Sequence, residues 1–370
     1  MPSSTSNLPT DEPLGTLEPV VHFDGAMPTG VTVSRQGRIF INFPKWGDDV
    51  RFTVAEIKNG LPEPYPDMAF NTTNPDDPSA ALVSVQSVVV DPADRLWILD
   101  TGSPLFQPTQ HGGPKLVCVD LATDTVAQKI LFPQEVALPT SYLNDVRFNL
   151  RQGSAGMAFI TDSSDKGANG IIVVDLATGE SWRRLHDHPS TKPEPMQEFL
   201  PIVEGRPFVQ KQDGKMIPAP SMGSDGIAIS ADGERLYYCP LGSRRLYSVA
   251  TAALIDRSRS DAHVAATIVD EGNKGGGSDG LESDAAGCLY ATDYEHNAIL
   301  RRRPAGDWET VVHDPRLLWP DTLSVAADGY LYVTANQLHR QARYHGGQDL
   351  RRKPYTLFRT KINAQPVALG

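Results

Sequence analysis

The sequence predicts an all-β chain, a six-bladed β-propeller whose ring is closed by the N-terminal strand joining the C-terminal blade. Three observations predict it. A phrase of polar head, short apolar strand, tight turn and second apolar strand recurs six times, at the period of about 40 to 80 residues that propeller blades have. The turns inside the phrase are rich in Gly and Asp: Gln36-Gly37, Ala93-Asp94, Asp232-Gly233, Ala286-Gly287 and Asp328-Gly329. The sixth copy runs out of chain after three strands, while Pro19-Val20-Val21-His22 near the start mimics Thr310-Val311-Val312-His313. Pairing that early segment with the last blade removes an exposed sheet edge.

The copies follow in order. The first runs Thr29-Gly30-Val31-Thr32-Val33 into Gly37-Arg38-Ile39-Phe40-Ile41, and the second Ser87-Val88-Val89-Val90 into Arg95-Leu96-Trp97-Ile98-Leu99. The third is Asn144-Asp145-Val146-Arg147-Phe148 before Met157-Ala158-Phe159-Ile160, and the fourth Asp225-Gly226-Ile227-Ala228-Ile229 before Arg235-Leu236-Tyr237-Tyr238. The fifth is Asp279-Gly280-Leu281 before Cys288-Leu289-Tyr290-Ala291; the sixth is Asp321-Thr322-Leu323-Ser324-Val325 before Tyr330-Leu331-Tyr332-Val333. Short apolar runs bounded by turn residues read as strands. Third strands are expected over 51–54, 115–120, 170–175, 245–249, 298–302 and 355–359, and fourth strands over 62–70, 126–131, 180–185, 266–269 and 310–313. Val-Asp-Leu-Ala-Thr occurs twice, at 119–123 and 174–178, as copies of one strand-turn would. Residues 1–16 are polar and expected to be a flexible lead, with 17–370 a single domain. One insertion, 186–223, is rich in Pro, Glu and Gln. Its connection to Asp225 puts it on the face of the strand heads, where a lid and a tolerated surface loop are both open readings.

Composition bounds the partners. A hydrophobic content of 40% supports a real core, and a net charge of −11 argues against nucleic acid or an anionic membrane. No apolar run is long enough to span a bilayer. Residues 1–16 lack the basic-then-apolar order of a secretory signal, so a cytoplasmic location is expected for the chain as written, and a secreted or periplasmic one if a signal has been removed. A monomer or small homo-oligomer is expected. Cys118, Cys239 and Cys288 sit inside apolar strands without disulfide-framework or zinc spacing, and are expected to be buried and unbridged.

Strand direction sorts the chemistry. The six heads, Thr29, Ser87, Asp145, Asp225, Asp279 and Asp321, fall on one face and converge on the central channel. The loops leaving the second strands join that face and bring Lys45, Trp46, Tyr294, His296 and His339; Gln86 precedes the second head. A single Asp at a strand head can simply cap a turn, and Asp-Gly is a turn signal. Several carboxylates in one channel need a cation or raised pKa values to relieve their repulsion. Oxygen ligands suit a hard divalent cation, calcium first, then magnesium or manganese, with Asn144, Asp225 and Asp279 as ligands. Asp279 and Asp145 are the candidate proton acceptors. Thr29, Lys45, Trp46, Gln86, Tyr294, His296, Asp321 and His339 are candidates for holding a small-molecule substrate. No G-x-S-x-G, H-E-x-x-H, P-loop or dinucleotide fingerprint sits in a supporting context.

Pro28-Thr29-Gly30-Val31, the run Arg95-Leu96-Trp97-Ile98-Leu99-Asp100-Thr101-Gly102, Leu143-Asn144-Asp145-Val146, Ser224-Asp225-Gly226-Ile227-Ala228 and Asn336-Gln337-Leu338-His339-Arg340-Gln341 resemble the major royal jelly/yellow protein family. The resemblance runs from about Val20 to Ile362. It implies a six-bladed propeller, with conversion of dopachrome-type indole quinones, or binding of small amines in the channel, as the activities associated with insect relatives. A more distant resemblance is to the gluconolactonase/senescence-marker propellers, which hydrolyse sugar lactones with one divalent cation. There Asn144-Asp145 matches a substrate-side Asn-Asp pair and Asp279 a ligand Asp, while Asp225 stands where a ligand Asn would be. Thr29 replaces that family's first-blade Glu. Three chemistries therefore stay open: a metal-assisted lactonase, a tautomerase or isomerase of a quinone-like ring, and a binder of small amines that uses Trp46, Tyr294 and Trp319 for cation–π contacts.

Overall fold

A computed structural model of the chain describes residues 13–212 and 214–370. Strand β1 (Glu18–Phe23) stands apart in sequence from the blade it completes. Blade one holds β2 (Val31–Val33), β3 (Ile39–Asn42), β4 (Val54–Lys58) and β5 (Leu61–Pro64), followed by the short helix α1 (Met68–Asn71). Blade two holds β6 (Val85–Val90), β7 (Arg95–Asp100), β8 (Lys115–Asp120) and β9 (Thr125–Leu131). Blade three holds β10 (Leu143–Asn149), β11 (Met157–Asp162), β12 (Gly170–Asp175) and β13 (Ser181–Arg184). Two hairpins follow, β14 (Ile202–Val203) with β15 (Arg206–Pro207), and β16 (Val209–Gln212) with β17 (Lys215–Pro218). Blade four is β18 (Ser224–Ile229), β19 (Arg235–Pro240), β20 (Arg245–Ala250) and β21 (Val269–Asn273), with helices α2 (Thr251–Ile255) and α3 (Asp261–Ala265) before its last strand. Blade five is β22 (Leu281–Ser283), β23 (Leu289–Asp293), β24 (Ala298–Arg302) and β25 (Trp308–His313). Blade six is β26 (Pro320–Val325), β27 (Tyr330–Ala335) and β28 (Tyr355–Lys361), with β1 as its fourth strand.

The architecture is the six-bladed propeller that the repeats predict. β1 pairs antiparallel with β28, Glu18 opposite Arg359 and Phe23 opposite Tyr355, and the ring closes there. Arg359 Nε bonds Glu18 Oε2 at 2.9 Å across that seam. Of the segment 1–16 expected to be loose, residues 1–12 lie outside the described residues. Leu14 exchanges backbone hydrogen bonds with His313, at 2.8 and 2.9 Å.

Three strand boundaries differ most from expectation. The fourth strand of blade one is Leu61–Pro64 instead of 62–70, because the Asp67 side chain caps α1 at the Phe70 N–H and turns the rest into a helix. The third strand of blade one begins at Val54 instead of 51, because the amide oxygen of Asn71 accepts the N–H groups of both Thr53 and Val54 and fixes the chain there. The fourth strand of blade four is Val269–Asn273 instead of 266–269: α3, capped by the Ser260 side chain at the His263 N–H, still holds Ala266 at its C-cap. Outer strands face water on one side, so their apolar period is weak.

The core lies between blades. Trp97 stacks on Phe148 at 5.2 Å between blades two and three, with Leu99, Cys118, Leu143 and Ile160 buried around them. Cys239 is also buried, whereas Cys288 is only half-buried, a correction to the expectation of three inaccessible thiols: it stands at the turn just before β23, at the edge of the cluster between blades five and six.

The Asp-Gly repeat owes its form to blade packing. Neither Gly226 nor Gly280 has a positive φ. A Cβ on Gly226 would lie 2.7 Å from the carbonyl oxygen of Asp279, and one on Gly280 would lie 2.2 Å from that of Asp321. Each glycine lets the next blade's head approach, which is a different demand from turn formation.

Candidate functional site

Asp145, Asp225 and Asp321 sit in β-bulges, and so does Gln86 just before the second head. Register shifts fall between Val85 and Ser87, Leu143 and Val146, Ser224 and Ile227, and Pro320 and Leu323. A bulge leaves an extra residue unpaired and re-aims its side chain. Second-strand threonines tie down the heads of blades three, five and six. Thr161 Oγ1 accepts from the Asp145 N–H and donates to the Asp225 carbonyl in the next blade (2.7 Å). Thr292 Oγ1 accepts the N–H groups of Asp279 and Gly280, each at 3.0 Å. Thr334 Oγ1 accepts from Thr322 and donates to the Thr29 carbonyl at 2.5 Å. These threonines were missed in the sequence, although each stands late in its blade's second strand, where the repeat marks them.

Three carboxylates meet. Asp225, Asp279 and Asp321 are all buried. Asp225 and Asp279 lie within hydrogen-bond reach of each other, and burial followed by the Asp279 charge pushes the Asp225 carboxyl well above its usual range. Burial pushes Asp279 up to about 6, opposed by hydrogen bonds from Trp319 and Asp225. Asp321 is raised well above the usual range by burial and by Asp279; the Asn336 amide donates to its Oδ2 at 2.6 Å. Asn144 bonds Asp225 Oδ1 through its amide nitrogen. Burial and mutual repulsion therefore both favour protonation within the Asp225–Asp279 pair.

Asp145 belongs to a different network. Its Oδ1 accepts from Ser87 Oγ (2.6 Å) and the Val146 N–H, and its Oδ2 from Arg147 Nη1 at 2.8 Å. With its oxygens taken by Ser87, the Val146 N–H and Arg147, Asp145 is placed to anchor Arg147.

An aromatic layer roofs the carboxylates. Trp319 donates its Nε1–H to Asp279 Oδ2 at 2.7 Å and stacks on Tyr294 at 4.2 Å, with His339 on it at 5.7 Å. On the other side Trp46 donates to the Tyr142 hydroxyl (2.7 Å), which donates to Gln86 Oε1 (2.9 Å). Phe106 stacks on Tyr142 at 4.6 Å. Thr29 Oγ1 accepts from the Asn42 amide at 2.8 Å and is fully buried. The insertion supplies Phe208, edge-on to Trp319 at 5.7 Å and to Tyr344 at 4.7 Å. Its Glu204 contacts His339 Nε2 at 3.1 Å and bonds Arg340; hydrogen bonds from His339 and Arg340 hold the Glu204 carboxyl well below its usual range. Burial pushes His339 down.

Two candidates stand away from the pair. The His296 ring is 62% exposed and bonds Asp293 at 2.8 Å, the contact that raises its pKa. Lys45 Nζ donates to Thr73 Oγ1 at 2.5 Å, and burial lowers it. Neither contacts the Asp225–Asp279–Asp321 group. The family motif Asp100-Thr101-Gly102 is structural: the buried Asp100 carboxylate accepts from the N–H groups of Val83, Ser84 and Gly102 and pairs with the buried Lys115 at 2.9 Å.

Among the described residues no group of three or more His, Cys, Asp or Glu side chains is placed to hold a metal ion. Asn144, Asp225 and Asp279 do offer an all-oxygen set, one carboxamide and two carboxylates, once the amide oxygen instead of the nitrogen faces Asp225. That set fits a hard cation that keeps several waters. A cation there would relieve the repulsion that a proton relieves in its absence. No helix of the described residues is long and apolar enough to cross a membrane.

Solved structures share the fold. Regucalcin from Agrobacterium tumefaciens, a calcium-binding protein, superposes with a TM-score of 0.54 at 15% identity, covering 96% of this chain and 93% of that one. A candidate gluconolactonase gives 0.55 at 13% identity, covering 94% and 92%. Among sequence relatives, Protein yellow of Drosophila subobscura is 29% identical over 246 residues, 64% of this chain and 41% of that protein. Protein yellow of Drosophila melanogaster is 28% identical over 247 residues, 64% and 43%. The chain thus spans less than half the length of these relatives. The sequence profile of the family described as Major royal jelly protein matches residues 83–366, most of the propeller, and this chain belongs to that family.

Proposed function

We propose that this chain is a small-molecule enzyme that hydrolyses a lactone or related cyclic ester at the acidic end of its channel. The observation that carries the reading is the Asp225–Asp279 pair, two buried carboxyls in mutual reach, both pushed toward protonation by burial. Environments that push two carboxyls apart give one acid and one base. Asp279, raised less and held by Trp319, takes a proton from the water that attacks the ester carbonyl. Asp225 gives its proton to the departing ring oxygen, so the pair recovers its single proton and the product is a hydroxy acid. A divalent cation held by Asn144, Asp225 and Asp279 would take the place of that proton, and would then supply the Lewis acidity that polarises the ester carbonyl and acidifies the attacking water. Asp321 and the Tyr142–Gln86 couple border the site, and Trp319 offers a flat apolar wall.

The calcium-binding and gluconolactonase-type neighbours support this reading through the fold alone. A panel of aldonolactones and simple γ- and δ-lactones, assayed by acid release with and without chelator, tests it. Turnover lost in Asp279→Asn supports it; absence of turnover on every lactone, with calcium supplied, removes it.

A second reading is proton transfer on a quinone-like ring without hydrolysis. The Trp319 indole, stacked between Tyr294 and His339 and bonded to Asp279, favours it by offering aromatic stacking beside a proton-handling pair. Loss of dopachrome colour without acid release would put it first.

A further inference from the structure

The carboxylates have no open approach. Asp225, Asp279 and Asp321 are 2, 8 and 4% exposed, so a substrate reaches them only when one end of the channel opens. The two ends are closed in different ways.

Below the heads the channel is stopped by the buried Arg147. Its Nη1 donates to Asp145 and to the Val146 carbonyl, and its Nη2 donates at 2.7 Å to the carbonyl of Leu281, two blades away. Beyond it the segment 365–369 crosses the turn face. The Ala285 N–H donates to the Gln365 carbonyl (2.9 Å) and the Leu150 N–H to that of Leu369 (2.8 Å), and the Leu369 side chain is fully buried. Opening this end separates a buried ion pair and breaks backbone bonds to two blades.

Over the heads the cover is lighter. It is the hairpin of β14 and β15, continued by Phe208. Its turn, Glu204-Gly205, has positive φ at both residues, the two-residue form that suits a tight hairpin. At its root the Ile202 N–H donates to Glu295 Oε1 at 2.8 Å. At its tip Glu204 holds Arg340 and His339, yet the Glu204 side chain is 39% exposed, so water competes for that latch. His339 Nδ1, buried between Trp319 and the hairpin, has no hydrogen-bond partner among the described residues, an expense of closure that water removes on opening. The Phe208 ring meets Trp319 edge-on at 5.7 Å, and the Trp319 indole bonds Asp279. Withdrawing Phe208 uncovers the indole beside the carboxylate pair.

We propose that the hairpin 202–208 is the gate through which a substrate reaches the Asp225–Asp279 pair, and that Phe208 sets the width of the substrate admitted. The role of Phe208 in selection rests on the lactone reading; the gate does not. Covers of this kind exclude water from the chemistry and commit the substrate.

Exchange of indole Nε1–H groups, followed by ¹⁵N NMR, tests the gate without a substrate. Trp97 is the internal reference: it is fully buried between blades two and three and donates to Asp91 Oδ2 at 2.8 Å. In the wild type the Trp319 indole should exchange by local opening, at a rate indifferent to low urea, while Trp97 follows global unfolding and accelerates with urea. Glu204→Gln and Phe208→Ala should each speed Trp319 at least tenfold with its urea dependence still absent. Leu369→Ala, which loosens the opposite end, should leave Trp319 within twofold. A Trp319 that exchanges only with the urea dependence of Trp97, a rate unmoved by both hairpin variants, or acceleration by Leu369→Ala alone would each overturn the gate. For the width, Phe208→Ala should raise kcat/KM at least tenfold more for dihydrocoumarin, an aryl-fused δ-lactone, than for δ-valerolactone. Equal changes on the two would remove Phe208 from selection. If the wild type turns over no lactone at all, the lactone reading fails while the exchange rates still decide the gate.

Discussion

Trp319 lies flat against Tyr294, 8° from parallel, and its indole Nε1–H donates to Asp279 Oδ2 at 2.7 Å. One residue thereby both walls the carboxylate pair and bonds one of its members. The bond favours the ionised carboxylate, opposing the burial that holds Asp279 at about 6. Trp319→Phe keeps much of the stack and loses the donor. A bond to a charged group is worth about 1.5–3 kcal/mol, so the Asp279 midpoint should rise by about one to two pH units. Carboxyl ¹³C titration reads this directly, and an unmoved midpoint would dissociate the indole from the pair's chemistry.

Raised carboxyls make the fold more stable in acid than in base. For Asp279 the folded pKa of about 6 exceeds the ordinary 3.8, so its contribution is fully present below 3.8 and is lost as pH rises through about 6. Asp225 and Asp321 act with the same sign. Asp279→Asn should raise stability at pH 8 by about 1–3 kcal/mol and flatten the fall between pH 4 and about 7. Calcium, if it occupies the pair, should flatten the wild-type curve in the same way. Urea unfolding at a series of pH values decides both points.

The seam between β1 and β28 should behave as core. Phe23 is buried against Phe43 at 5.6 Å, and Phe23→Ala should cost about 3–5 kcal/mol. Removal of residues 1–24 should lower the melting temperature by much more than any outer-strand point variant, since it strips a whole strand from blade six. A truncated chain that melts at the wild-type temperature would mean that this pairing contributes nothing.

Thiol labelling should separate the cysteines. Cys118 and Cys239 are buried and Cys288 is half-buried, and burial raises all three thiols. One equivalent of maleimide should react slowly with the native protein, at Cys288, and two more only on unfolding. Mass spectrometry of the labelled peptides would expose any other order.

The insertion should undock in acid. Its clamp on Arg340 and His339 depends on the Glu204 carboxylate, whose depressed pKa keeps the contact intact at pH 4.5 and above and loses it as pH falls through the folded value. Glu204→Gln should reproduce the acid state at pH 7, seen as faster amide exchange over 199–208 and weaker protection of Trp319.

What the sequence made legible was whatever the repeat writes six times. Heads and paired inner strands carry strong apolar patterns because both of their faces are buried, and the closing strand, though its burial alternates, is legible by its likeness to 310–313. Outer strands such as Val269–Asn273 carry mixed burial, and their limits shifted. The convergence of Asp225, Asp279 and Asp321 follows from ring symmetry and needed no contact information. The pairing of Asp145 with Arg147 was hidden for another reason: the two are neighbours on one strand face, and nothing in their spacing says which carboxylate the guanidinium will choose. His296 was credited from its loop, yet loop membership does not fix the direction of a side chain. The roofing by Phe208 and Glu204 depends on how a long insertion folds back, which its composition leaves open.

The closing seam also orders the history of the molecule. Glu18 and Arg359, bonded across it, are 341 positions apart, so β1 must wait for β28, which follows it by the whole of five other blades. Until then β1 is a bare strand with an unpaired edge, and blade six cannot be complete. Such distant pairing is slow to form and leaves partly built intermediates open to association. Five blades can condense as neighbours during synthesis; the sixth is a reunion. Folding yield in the cell should therefore be limited by that last docking, and by whatever keeps β1 from pairing with another copy's β28 in the interval.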